Sequence, residues 1–187
     1  MQGKKKIAVY LDRDGTINED ADYLSDPEGL VLIDGAAASI KRLNASGVLV
    51  VVISNQSGVG RGYFSEEAVE AVNERLESLL GAEGARLDAV YYCAHSPVED
   101  CGCRKPRTGL AERAAKEHGI DNPASYVVGD KASDLALAAN IGAKGVLVLT
   151  GKGAEERKKL PVSPDFVAED INGAVDWIIE DLQKSER

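Results

Sequence analysis

Apolar positions along the chain fall into two alternating kinds of segment. Short apolar runs at 7–11, 48–53, 89–92, 126–128 and 146–149, most of them rich in Val, Ile or Tyr, predict buried strands. Between them the apolar positions recur at helical spacing. Ala37, Ile40 and Leu43 mark one helix. Ala68, Val69, Val72, Leu76, Leu79 and Leu80 mark a second, with Ser65 as its N-cap and Glu66 and Glu67 in its first turn. A third helix starts near Thr108, and a fourth runs over 132–141 and stops before Gly142. The last begins near Asp170 and carries Ile171, Ala174, Val175, Ile178, Ile179 and Leu182 on one stripe.

Strands alternating with helices predict an α/β fold, a doubly wound parallel sheet covered on both faces. In such sheets the ligand crevice lies at the carboxyl ends of the strands. The polar, turn-rich stretch 18–34 reads as an excursion over that crevice, with no room for a large cap domain. The segment 161–164 reads as a loop. No internal repeat or linker breaks the pattern, so one domain is expected over 1–187.

Charge and composition narrow the functional classes. Lys and Arg number 22 against 31 Asp and Glu, a formal charge of −9. That balance disfavours a general nucleic-acid binder, which needs a basic face to displace counterions. A local basic pocket for a phosphorylated small molecule is still allowed. The longest apolar run, 48–53, is six residues, far short of a membrane span. The apolar run after Lys4, Lys5 and Lys6 is too short for a signal peptide. A cytoplasmic monomer without a membrane partner is the expectation. Thiols stay reduced in that compartment, so three cysteines crowded between positions 93 and 103 point to metal and not to disulfides.

The strand ends carry the candidate chemistry. The first ends in Asp12-Arg13-Asp14-Gly15-Thr16, and two carboxylates so close at a buried strand end call for a positive partner. The second ends in Ser54-Asn55-Gln56-Ser57-Gly58, and the third leads through Cys93 and His95 to Arg104-Lys105-Pro106. The fourth ends in Gly129-Asp130-Lys131-Ala132-Ser133-Asp134. Each alone is an ordinary polar turn. Together they place acids, a hydroxyl and a lysine at one sheet edge, which suits magnesium-dependent phosphoryl transfer: acids for a hard cation, donors for phosphate oxygens. Separately, Cys93, His95, Cys101 and Cys103 supply three thiolates and an imidazole, a full tetrahedral set for structural Zn²⁺. The last of them lies two residues before Lys105, so the metal would fix the loop that presents Arg104 and Lys105. His118, before Gly119, reads as a helix C-terminal cation or cap.

The motifs Asp12-Arg13-Asp14-Gly15-Thr16, Ser54, Lys105 and Gly129-Asp130-x-x-x-Asp134 resemble, in order and over almost the whole chain, those of the haloacid dehalogenase superfamily of phosphatases. The resemblance implies Asp12 as nucleophile and Asp14 as general acid and base. It implies Ser54 on a phosphoryl oxygen and Lys105 balancing charge. Mg²⁺ would be held by Asp12, Asp130 and the backbone carbonyl of Asp14, with the Lys131 carbonyl assisting. Asp134 would orient Lys105 or a metal-bound water.

Within the superfamily the cysteine-rich loop resembles two groups, heptose bisphosphate phosphatases and histidinol-phosphate phosphatases. The stretches 18–23, 54–58, Arg61-Gly62, Tyr91-Tyr92-Cys93 and Gly129-Asp130-Lys131 resemble the heptose group more. By that resemblance Asp20, Ala21, Asp22, Tyr23, Ser54, Asn55, Gln56, Ser57, Arg104 and Lys105 would contact substrate. The implied reaction is removal of the 7-phosphate of a heptose 1,7-bisphosphate, with histidinol phosphate as the alternative substrate. Arg104 also has a physical rationale, since a guanidinium matches a second phosphate bidentately. A phospho-aspartate receiver is the rival from another class. Its lysine would come last in the chain, whereas Lys105 here precedes Asp130.

Overall fold

The computed structural model describes residues 5–185; Lys4 of the basic start lies outside them. Six strands form one sheet: β1 (Ala8–Leu11), β2 (Leu49–Asn55), β3 (Ala89–Cys93), β4 (Tyr126–Gly129), β5 (Lys144–Val148) and β6 (Phe166–Ala168). All pair in parallel, in the order β3-β2-β1-β4-β5-β6. Among the described residues seven α-helices accompany them: α1 (Ala36–Ala45), α2 (Ser57–Gly60), α3 (Glu66–Ala82), α4 (Gly109–His118), α5 (Ala132–Ile141), α6 (Gly153–Glu156) and α7 (Ile171–Ser185).

The sheet is buried on both faces, which is why its strands read as continuous apolar runs. Side chains alternate along β1: Val9 and Leu11 join the core under α1, α3 and α7, while Ala8 and Tyr10 join the core under α4 and α5. β2 divides the same way, with Val50 and Val52 on the first face and Val51 and Ile53 on the second. From β1 the chain winds outward to β3, then returns to lay β4 on the other flank of β1. The winding therefore reverses between β1 and β4, where open α/β sheets bind their ligands.

Several elements differ from the sequence-based expectation. β6 was not anticipated: three residues at the sheet edge are too few for a periodic signal. β2 runs past the apolar stretch because Ser54 and Asn55 still pair with Tyr92 and Cys93, so the ladder outlasts the hydrophobicity. β5 starts at Lys144 and ends at Val148, with Leu149 outside it. The one-turn helix α2 starts inside a segment that reads as a polar turn, and the one-turn helix α6 was not anticipated. Ser65 occupies the N-cap of α3, yet its side chain makes no capping hydrogen bond to the helix.

The 18–34 excursion closes on itself. Glu19 N donates to Val31 O and Ile33 N to Ile17 O, both at 2.9 Å, so the ends are tied and the tip is free to overhang the strand ends. No helix among the described residues is long and apolar enough to cross a membrane.

Candidate active site

The register of β1 against β4 sets the centre of the site. Leu11 pairs with Val128, and Asp12 N donates to Val128 O at 2.9 Å. The two chains then diverge just beyond the sheet, leaving Asp12 beside Asp130. Close approach here depends on glycine. Gly15 has φ +89° and Gly151 φ +55°, and a Cβ on either would overlap the Asp130 carboxylate. The turn after β5 closes the floor, with Thr150 Oγ1 donating to Gly15 O at 2.7 Å and Lys152 N to Asp130 Oδ2 at 2.9 Å.

Lys105 arrives from the cysteine-rich loop. Its backbone is pinned by Asn55, whose Oδ1 accepts from Lys105 N at 3.0 Å and whose Nδ2 donates to Lys105 O at 3.2 Å. The ammonium then lies 2.7 Å from Asp12 Oδ1 and 2.7 Å from Asp134 Oδ1, and donates to Ile53 O at 2.7 Å. Burial alone would push the Asp12 carboxyl up, but Lys105 and Lys131 outweigh it and hold it at about 2. Burial would strip charge from Lys105, and Asp12 and Asp134 reverse that, so it stays cationic. Asp12 is thus an ionised, buried carboxylate, with Lys105 on one oxygen and Lys131 3.6 Å from the other.

Asp14 points into a set of donors. Gln56 Nε2 reaches its Oδ2 at 2.8 Å and the Ser54 hydroxyl at 2.7 Å. Asn18 Nδ2 donates to Oδ1 at 2.9 Å, and the buried Arg13 guanidinium forms an ion pair with Oδ2 at 2.9 Å.

Asp12, Asp130 and Asp134 bring carboxylate oxygens within 4.8 Å of one another. Burial and the neighbouring Asp12 charge push Asp130 up to about 7, and its Oδ1 accepts no hydrogen bond. The Lys131 ammonium gathers at these oxygens, 3.2 Å from Asp14 O, 3.3 Å from Asp130 Oδ1 and 3.6 Å from Asp12 Oδ2. Hard oxygens that draw a cation, one of them without a hydrogen bond, fit a magnesium-type ion. The Lys131 carbonyl accepts Asp134 N at 3.0 Å within the first turn of α5.

The thiols and imidazole also converge. Cys93 Sγ lies 3.5 Å from His95 Nδ1, 3.7 Å from Cys101 Sγ and 3.1 Å from Cys103 Sγ, and His95 Nδ1 lies 3.2 Å from Cys103 Sγ. A tetrahedron with Zn–S bonds of about 2.3 Å has edges of about 3.8 Å, so this set fits zinc with a small expansion. His118 stands apart, at the end of α4, with Nε2 3.0 Å from the Tyr91 hydroxyl.

A cavity of about 300 Å³ opens above these groups. Asp12 and Asp14 line it with Asp20, Asp22 and Tyr23 from the excursion. Ser54, Asn55, Gln56 and Ser57 line it from the end of β2, and Arg104, Lys105 and Lys131 add the cations. Ala21 is exposed and does not line it; Asp130 and Asp134 lie buried beneath. Leu24, Ser133 and Lys152 line it without having been singled out in the sequence. Lys152 follows β5, whose end carries no acid or nucleophile to draw attention.

Comparison with known proteins agrees with this arrangement. A HAD-hydrolase-like family model matches residues 102–174. A D-glycero-D-manno-heptose-1,7-bisphosphate 7-phosphatase of Thermosynechococcus vestitus is 42% identical, the match covering 94% of this chain and 96% of that protein. The D-glycero-beta-D-manno-heptose-1,7-bisphosphate 7-phosphatase of Escherichia coli is 41% identical over 96% of this chain and 91% of its own. Among solved structures, a D,D-heptose 1,7-bisphosphate phosphatase from B. bronchiseptica, complexed with magnesium and phosphate, superposes with a TM-score of 0.87. It is 31% identical, covering 94% of this chain and 99% of that one. With the sheet order, the buried acids and these relatives agreeing, the chain belongs to the heptose-1,7-bisphosphate 7-phosphatase family of haloacid dehalogenase-like hydrolases.

Proposed function

We propose that the protein is a magnesium-dependent phosphomonoesterase that removes the 7-phosphate of D-glycero-D-manno-heptose 1,7-bisphosphate. The reading takes the chain as one phosphatase domain, acting as a cytoplasmic monomer on a small sugar bisphosphate. The observation that carries it is the Asp12 carboxylate, buried, ionised and held 2.7 Å from Lys105 at the floor of a cavity lined by cations.

In the first half-reaction an Asp12 oxygen attacks phosphorus and the bond to the sugar oxygen breaks. Asp14 gives that oxygen its proton, which leaves an aspartyl-phosphate and a free hydroxyl. In the second, water attacks the phosphoryl group, Asp14 takes the water's proton, and the bond to Asp12 breaks to release phosphate. Dividing the displacement this way replaces one difficult step with two easier ones. Lys105 and the Ser54 hydroxyl receive the charge that builds on the phosphoryl oxygens. Asp12, Asp130 and the Asp14 carbonyl would hold Mg²⁺, which offsets the negative charge of nucleophile and phosphate. Cys93, His95, Cys101 and Cys103 would hold a structural Zn²⁺ behind the loop.

Arg104 decides between substrates. The residue lines the cavity, and its Nη1 is buried with no hydrogen-bond partner, so the guanidinium has donor capacity left for a second phosphate. An imidazolyl amine would leave it unpaired. The test is kcat/KM on the heptose bisphosphate and on histidinol phosphate, with Mg²⁺. We expect a ratio of about 100 or more toward the heptose, equivalent to about 2.7 kcal/mol. The reverse ratio would replace this substrate assignment.

A further inference from the structure

Helix α3 carries one polar residue on its buried face. Asn73 is 8% exposed and sits among Val69, Val72, Leu76 and Leu80. A buried amide costs free energy unless it is paired, and Asn73 Oδ1 accepts from Arg13 Nη1 at 2.9 Å. Arg13 is itself 1% exposed, a fixed positive charge inside the fold. Its remaining nitrogens grip Asp14: Nε to Oδ1 at 3.2 Å, and Nη2 to Oδ1 at 3.1 Å and to Oδ2 at 2.9 Å.

A guanidinium fork on a carboxylate fixes its plane as well as its position. Asn18 and Gln56 complete the grip, one on each oxygen. Neither Arg13 nor Asn73 lines the cavity, so neither is placed to touch substrate. Stability does not account for them. Replacing a buried ion pair with well-packed apolar side chains is commonly neutral or stabilising, and the face of α3 around Asn73 is otherwise apolar.

We propose that Asn73, acting through Arg13, is a positioning residue that sets the orientation of the Asp14 carboxylate. The proposal rests on the reading of Asp14 as general acid and base. Asn73 holds the far end of the guanidinium, the guanidinium holds the plane of Asp14, and the interior of α3 thereby reaches proton transfer without touching substrate.

The test exploits leaving-group chemistry. A sugar oxygen needs a proton as it departs, whereas p-nitrophenolate leaves unaided. Asn73→Leu removes the acceptor and keeps most of the volume. Its loss of kcat/KM on the heptose bisphosphate should exceed its loss on p-nitrophenyl phosphate by about 10-fold or more, the scale of a misplaced catalytic group. Asn73→Asp keeps an oxygen acceptor for Arg13 and should recover most of that difference. Equal losses on the two substrates, or no loss, would overturn the proposal. If Asn73→Leu does not fold, as judged by circular dichroism, Arg13→Lys keeps the charge, loses the fork and gives the same readout.

Asp14→Asn separates the two readings. It should show the leaving-group selectivity itself, and adding Asn73→Leu to it should produce no further selectivity. An Asp14→Asn enzyme without selectivity would remove Asp14 as acid and base. A selective Asp14→Asn beside a non-selective Asn73→Leu would overturn only the role of Asn73.

Discussion

Lys105 shows how much one side chain organises here. Its ammonium joins Asp12, Asp134 and the Ile53 carbonyl, so the groups that converge on the nucleophile come from three separate parts of the chain. Asp12→Asn keeps the size of the side chain and removes the attacking charge. It should abolish turnover while circular dichroism stays unchanged. Substantial residual turnover would remove Asp12 as nucleophile. At Arg104, truncation to alanine deletes a guanidinium that lines the cavity. Since hydrogen bonds to charged groups are worth about 1.5–3 kcal/mol, Arg104→Ala should lower kcat/KM for the bisphosphate about 10- to 100-fold more than for p-nitrophenyl phosphate. Equal losses would mean that Arg104 does not read the second phosphate.

Among the elements, the cysteine-rich loop gathers four residues that could hold a metal, with Cys93 in the core and Cys101 and Cys103 packed against it. Cys103 and Lys105 are two residues apart, so zinc at the four donors would fix the backbone that Asn55 also pins. Chelation should free this loop, lowering kcat/KM by about 10-fold or more, the usual scale for losing support around a functional group. Faster proteolysis between Cys93 and Cys103 should accompany it. Unchanged kinetics after complete zinc removal would contradict the mechanical role. The loop's chemistry was legible because cysteine and histidine at close spacing have few other uses. β6 was not, because an edge strand of three residues gains its order from pairing with β5 and not from its own pattern. The length of β2 was hidden for a similar reason: Ser54 and Asn55 are polar, and only their partners on β3 keep them in the sheet.

At the scale of the molecule, topology assembles the site. Parallel strands point the same way, so residues as far apart as Asp12 and Asp130 meet at one edge once the winding reverses between β1 and β4. That made Asp12, Asp14 and Asp130 readable as candidates from the strand ends taken together, with Lys105 reached along the loop that follows β3. Arg13, Asn73 and Lys152 were not readable, because an arginine after a strand or an asparagine on a helix usually faces water; only packing shows where these go. The same fold is tied at its far edge by Asp181 of α7, which accepts from the Tyr126 hydroxyl of β4 at 2.6 Å and pairs with Lys144 of β5. Burial pushes the Asp181 carboxyl up, but Lys144 and Tyr126 outweigh it and hold it below its ordinary value. Its contribution is therefore full above about pH 4, the unfolded carboxyl's range, and fades as pH falls through the lower folded value. Asp181→Asn should be less stable than the parent at pH 7, by no more than about 1 kcal/mol, and urea unfolding should show that gap closing in acid. A gap that persists at low pH would contradict the assignment. The central claim, a covalent aspartyl-phosphate on Asp12, has its most direct test in acid quenching of the Mg²⁺-loaded enzyme during turnover of the heptose bisphosphate, followed by peptide mass analysis. The account predicts one added phosphoryl group on the peptide containing Asp12, and none in Asp12→Asn. A phosphoryl group on another residue, or one that survives the substitution, would contradict it.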